Sequence, residues 1–185
     1  MNTTITSKQQ ILQASRTLIS QRGWQSINIR SVAKECNVSV GSIYNYFTSK
    51  SELITETIES IWQDIFYSNQ PSSIYTIEEY IAWIYQRMSY ANTTYPGFFA
   101  LHSMAFDNTE KTEGIRRMNH AWQQIPKMLC HILQQDPKIS KTTFNSDFSI
   151  EDFAQMLFSF ILSSMLQQNY DCSHLLQLIK RIAYQ

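Results

Sequence analysis

Asn28-Ile-Arg-Ser-Val-Ala-Lys-Glu-Cys-Asn-Val-Ser-Val-Gly-Ser-Ile-Tyr-Asn-Tyr-Phe47 decides the fold of this chain. It divides into two short helices about a turn. Asn28 is placed to cap the first helix, where Val32, Ala33 and Cys36 form a narrow apolar stripe. Asn37-Val38-Ser39 supplies a three-residue turn, and Ser39 caps the second helix, expected over 40–47. In that helix Ile43 and Phe47, four apart, share one side, and Val40 and Tyr44 share another. Helices this short bury little alone and need a platform. Leu18, Val38, Ile43 and Phe47 are suitable material for one.

The outward face of the second helix is unusual. Val40, Gly41, Ser42, Tyr44 and Asn45 are mostly small or uncharged, where a face meant only for solubility would carry Lys and Glu. Gly41 sacrifices about 1 kcal/mol of helix propensity relative to Ala, a loss that close approach to a partner would explain. A helix entering a major groove needs a small residue for that approach and side chains that reach base edges. Lys50 falls in the first turn of the next helix, where the dipole, free N–H groups and an ammonium together suit a phosphate.

Working outward, Ser7 and Gln10 have capping-box spacing and open a helix with Ile11, Leu12, Leu18 and Ile19 on one face, stopped by Gly23. Ser49 with Glu52 predicts a second capping box and a helix over about 50–67, with Leu53, Ile54, Ile58, Ile61, Trp62, Ile65 and Phe66 inward. A linker follows near 68–75, around Pro71. Further helices are expected from Thr76 to about Thr94, over 98–106, over 110–135 with a kink at Pro126, over 153–168, and over 173–184. The fold expected is all-α with about nine helices. Residues 1–50 form a reading head, 51–185 a second helical domain, and the fourth helix connects them.

Composition agrees. In 185 residues, Gly and Pro number only four each, too few breakers for a many-stranded sandwich or barrel. Apolar residues at 43% allow an ordinary core. The formal net charge is zero, but residues 1–50 hold Lys8, Arg16, Arg22, Arg30, Lys34 and Lys50 against Glu35 alone. That segment carries +5 and the remainder −5, an asymmetry expected of a polyanion-binding end.

Residues 29–53 resemble the DNA-binding domain of the TetR family of transcriptional regulators, through the pattern V-S-x-G-S-I-Y-x-Y-F-x-S-K-x-E-L at 38–53. The resemblance covers about 7–66. It implies that Asn28 touches a phosphate and that Tyr44, Tyr46 and Lys50 grip the sugar–phosphate backbone. Val40, Gly41, Ser42 and Asn45, following the cap Ser39, match positions facing base edges. Hydrogen-bond readout by Val40 and Gly41 is thin. Arg30 is therefore the candidate for the main base contact, bidentate to guanine, with Val40 against a thymine methyl as the alternative. Tyr46, beside Phe47, fits either backbone contact or partial burial in the core.

Residues 75–185 are rich in aromatic and Met side chains, which suit either a solid core or the lining of a cavity. The resemblance implies a cavity for an inducing small molecule. Trp83, Phe99, His102, Phe106 and Trp122 are the candidate lining, and scarce charge there predicts a mainly apolar ligand. The 153–166 helix and the 175–182 face carry more apolar surface than a monomer needs. Phe153, Leu157, Phe160, Ser164, Leu175, Ile179 and Ile182 are accordingly the candidate homodimer interface. The competing reading makes 153–166 a central core helix. A C2 dimer would set two recognition helices about 34–36 Å apart on a palindromic operator in double-stranded DNA.

Other classes lack their signatures. Cys36, Cys130 and Cys172 form no framework or CxxC pair, the four histidines have no metal-ligand spacing, and no nucleophile elbow or phosphate loop occurs. No catalytic residue, metal or cofactor is expected, and no signal peptide or membrane span is apparent. The expectation is a cytoplasmic repressor released by a small effector. The alternative is a DNA-binding protein without a ligand pocket, whose second domain dimerises or docks a protein.

Overall fold

The computed structural model describes residues 6–68, 74–101 and 124–184, which are helical with no strand among them. The helices are α1 (Lys8–Arg22), α2 (Ile29–Glu35), α3 (Val40–Tyr44), α4 (Lys50–Phe66), α5 (Ile77–Thr94), α6 (Phe98–Leu101), α7 (124–135), α8 (Ile150–Gln167) and α9 (Ser173–Ala183). The all-α class expected from the sequence is the observed one. No helix of the described residues is long and apolar enough to cross a membrane. The expected helix over 98–106 is described only to Leu101, and the start of the 110–135 helix, with the geometry that would test a kink at Pro126, lies outside the described residues.

Local chemistry sets most helix starts. Ser7 and Gln10 cap α1 reciprocally, as do Asn28 and Ser31 on α2 and Ser149 and Asp152 on α8. Asp152 accepts from the Ser149 hydroxyl and N–H, and these bonds hold its carboxyl below the ordinary value. At α4, Ser49 accepts from the Glu52 N–H, while the Glu52 carboxylate reaches one residue further back, to Thr48 N and Oγ1. Positive φ at Gly23 (76°) ends α1, and Asn37 (55°) makes the turn after α2. Helix α3 is shorter than expected, ending at Tyr44. There Tyr46 N and Phe47 N both bond to Ile43 O, so the last turn tightens and closes the helix.

The chain divides into two compact units, Met1–Ser68 with Ala91–Arg116, and Asn69–Tyr90 with Arg117–Gln185. In the first, α1, α2, α3 and α4 bury Ile11, Leu18, Val32, Ile43, Phe47, Leu53 and Ile61 completely or nearly so. Arg16 on α1 donates to Ser60 O at 3.1 Å and to Ser60 Oγ at 2.8 Å, tying α1 to α4. The Trp24 indole, just past α1, stacks on Phe98 at 5.8 Å, and Trp62 of α4 meets the same Phe98 edge-on at 5.2 Å. Tyr95 donates to Asp64 at 2.9 Å.

In the second unit, Ile77, Ile81, Ile84 and Met88 of α5 are buried, as are Leu129 and Leu133 of α7. On α8, Phe153, Leu157, Ile161 and Met165 form a buried stripe at spacing four, and α9 buries Leu175, Ile179 and Ala183. The loop from 136 to 149 is not free. Phe144 and Phe148 pack on Phe153, and Ser140 N bonds to Ala183 O at 2.9 Å.

Candidate nucleic-acid interface

Residue types and their burial divide α3 into two sides. Ile43 and Phe47 are both 0% exposed, whereas Val40 is 39% and Tyr44 51% exposed. Gly41 and Asn45 are also exposed. Ile43, and Phe47 three residues past the end of α3, anchor the helix and leave Val40, Gly41 and Tyr44 exposed. Ser39 Oγ accepts from Ser42 N at 3.1 Å and shares a hydrogen bond with Ser42 Oγ at 2.9 Å. These two hydroxyls hold the start of α3, with Ser42 half-buried.

The flanking residues sit at helix starts. Asn28 is exposed, with Oδ1 accepting from Ser31 N at 3.0 Å as the α2 cap. Its side-chain amide group supplies the donors that a phosphate oxygen would need. Arg30 is exposed in the first turn of α2, and Lys50 is exposed as the first residue of α4. The structure therefore gathers Ser39, Val40, Gly41, Ser42, Tyr44 and Asn45 on one short element. It carries Asn28, Arg30 and Lys50 on neighbouring helix termini.

Tyr46 has a partner that sequence reading missed. Its hydroxyl donates to Thr6 O at 2.5 Å, across 40 residues, and Thr6 is buried. No local pattern announces such a bond. Lys8 adds two contacts near it, an ion pair with Glu56 at 2.6 Å and a cation–π contact with the Phe47 ring at 5.5 Å.

The remaining candidates are placed as follows. Trp83 is buried in the second unit, stacked on Tyr80 at 5.6 Å, while Phe99 is half-buried in the first unit, 5.8 Å from Trp62. His102, Phe106 and Trp122 lie outside the described residues. Of the dimer candidates, Phe153, Leu157, Leu175 and Ile179 are interior, Ser164 shares a hydrogen bond with the Tyr85 hydroxyl at 2.7 Å, and Ile182 is half-buried. Phe160 is 44% exposed, and Met156, four residues before it and absent from the candidates, is 43% exposed. No group of three potential metal ligands occurs among the described residues.

Comparison with known proteins bears on this head. Residues 11–57 match the family model described as bacterial regulatory proteins, tetR family. The transcriptional regulator UidR of Escherichia coli K12 is 35% identical over 52 residues, 28% of this chain and 26% of UidR. The matched stretch thus spans about a quarter or less of the curated relatives' length. Escherichia coli NemR in its reduced form shares the fold, with a TM-score of 0.62 at 20% identity over 95% of this chain and 96% of that one. BioQ, solved with its double-stranded DNA operator, has a TM-score of 0.58 at 17% identity over 96% and 97%.

Proposed function

We propose, from the match of residues 11–57 to the tetR-family model and the fold shared with operator-bound BioQ, that this protein is a homodimeric, cytoplasmic transcriptional repressor. It binds a palindromic operator and is released by a small, mainly apolar effector. The observation carrying the reading is the exposed, small and uncharged side of α3, held outward by the complete burial of Ile43 and Phe47.

Val40, Gly41 and Asn45 face base edges in this reading, with Ser42 beside them. Ser39 holds the start of the helix against the DNA, and Arg30 reads a base through its two-pronged guanidinium. Asn28, Tyr44 and Lys50 bind the backbone. Lys50 does so as a point charge at a helix N-terminus, where dipole and ammonium act together on a phosphate. The excess of bases over acids in residues 1–50 supplies attraction without sequence information. The acidic remainder confines contact to the head.

Two heads on a C2 axis read two half-sites about one DNA turn apart. Residues 1–50 are the reading head, 51–185 hold the effector and dimer surfaces, and α4 connects them. An effector bound within residues 51–185 releases DNA only by its differential affinity for the two head spacings. Operator selection from random DNA with the purified chain, repeated with candidate apolar inducers, tests this directly. Enrichment of a palindrome that an inducer abolishes is the expected result. Recovery of no preferred sequence would overturn the reading.

A further inference from the structure

A tyrosine hydroxyl has one proton to donate, and a phosphate diester offers only acceptors. The Tyr46 proton is directed to Thr6 O at 2.5 Å, so Tyr46 cannot hold Thr6 and donate to a phosphate at once. Its surroundings extend the same tie. Tyr46 lies two residues beyond the end of α3, and Phe47 beside it is completely buried. Lys8, in the first turn of α1, sits over the Phe47 ring at 5.5 Å and pairs with Glu56 of α4 at 2.6 Å. The entrance to α1 is thereby fastened to the connector between α3 and α4 by a hydrogen bond and a cation–π contact, and to α4 by an ion pair. Among the described residues, Tyr46 supplies the bond from the recognition-helix side.

We propose that Tyr46 is a positioning residue of the reading head. It holds the main chain at Thr6 against the end of the recognition helix, fixes that helix relative to α1, and makes no phosphate contact. The inference rests on the DNA-binding reading above. Its consequence is a split that a backbone contact does not produce. Phosphate contacts act on all sequences alike, whereas the set of the recognition helix matters only where base edges are read.

The test is Tyr46→Phe in the full chain, measured for affinity to the selected operator and to random duplex at one salt concentration. Amide exchange in the first turn of α1 is measured on DNA-free protein. The ring is retained, so the fold is expected to persist, and helicity and thermal midpoint check this. Positioning predicts operator affinity lowered about threefold to tenfold, random-duplex affinity unchanged, and faster exchange at residues 7–11. Equal loss on both duplexes would overturn it in favour of a phosphate grip. Unchanged affinity for both would overturn it in favour of a purely structural bond. A second measurement uses operators carrying single neutral methylphosphonates. Wild type and variant should show the same sensitivity at every position, and a phosphate to which only the wild type responds would refute the proposal. Wild-type selectivity is read first. If the wild-type chain selects no operator, the regulator reading fails, and this proposal with it.

Discussion

The Tyr184 hydroxyl donates to Asp136 Oδ2 at 2.7 Å, and that carboxylate also accepts from Ile77 N at 2.8 Å and from Lys138 N at 2.9 Å. One buried side chain thus joins the end of α9, the start of α5 and the turn after α7. Nearby, Glu78 pairs with Lys180 at 3.1 Å and Lys138 at 3.6 Å, contacts exposed enough to be worth under about 1 kcal/mol each. Asp136→Ala strands three donors and is expected to destabilise the second unit by roughly 2–4 kcal/mol. Tyr184→Phe removes one bond and should cost about 1 kcal/mol. Urea unfolding of both variants checks the ranking, and a smaller loss for Asp136→Ala would contradict it.

The same pair gives a pH dependence. Burial, then the hydrogen bond to Asp136 and the negative charges of Asp136 and Glu78, push the Tyr184 hydroxyl well above its ordinary value. The folded chain therefore keeps a proton that the unfolded chain releases above about pH 10. Stability from this group is fully present below that pH and is lost as pH rises beyond it. The alkaline limb of a stability–pH curve should be shallower in Tyr184→Phe. Superimposable limbs would exclude the linkage.

What was legible in the sequence was local. Ser7, Asn28, Ser39 and Ser49 all cap the helices assigned to them, because a cap is written within four residues. The buried and exposed sides of α3 likewise follow from spacing alone. Long-range pairings carry no such mark. Thr6–Tyr46 spans 40 residues and Ile77–Asp136 spans 59, and neither joins residue types that predict each other. The α8 case has another cause. Composition showed that this helix is apolar on more than one side, but not which stripe the second unit consumes. Phe153, Leu157, Ile161 and Met165 went inward, leaving Met156 and Phe160 outside.

Gly41 offers a separation of stability from binding. A Cβ built there meets only Ser39 Oγ at 3.7 Å, an ordinary contact. Gly41→Ala is therefore expected to stabilise the head by up to about 1 kcal/mol. If Gly41 exists to let the helix approach DNA, the added methyl should weaken operator binding at least tenfold. A thermal midpoint that rises together with unchanged affinity would remove the close-approach role.

Lys50 and Arg30, both exposed at helix starts, are expected to fail differently. Lys50→Ala should weaken binding to every duplex and reduce the log–log salt slope by roughly 0.9 for each phosphate that the ammonium neutralises. Arg30→Ala should relax preference at one base pair, costing about 1–3 kcal/mol there. Titrations on operator, single-base variants and random DNA across salt concentrations separate the two. Equal weakening by Arg30→Ala on cognate and random DNA would reassign it to the backbone.

In the proposed homodimer the outer row of α8 is the candidate seam. Phe160 is 44% and Met156 43% exposed, with Ser163 and Gln167 exposed on the turns that follow. This row is distinct from the inner stripe, so a charge placed on it need not disturb the subunit's interior. Phe160→Asp would bury an unpaired carboxylate at a symmetric interface, where each substitution counts twice. Sedimentation should show monomers of Phe160→Asp at concentrations where the wild type is a dimer, with helicity retained. Operator affinity should fall steeply, because two half-sites no longer engage together. Gln134→Asp, at an exposed position on α7, should leave both properties unchanged. A Phe160→Asp chain that still sediments as the wild type does would place the interface elsewhere.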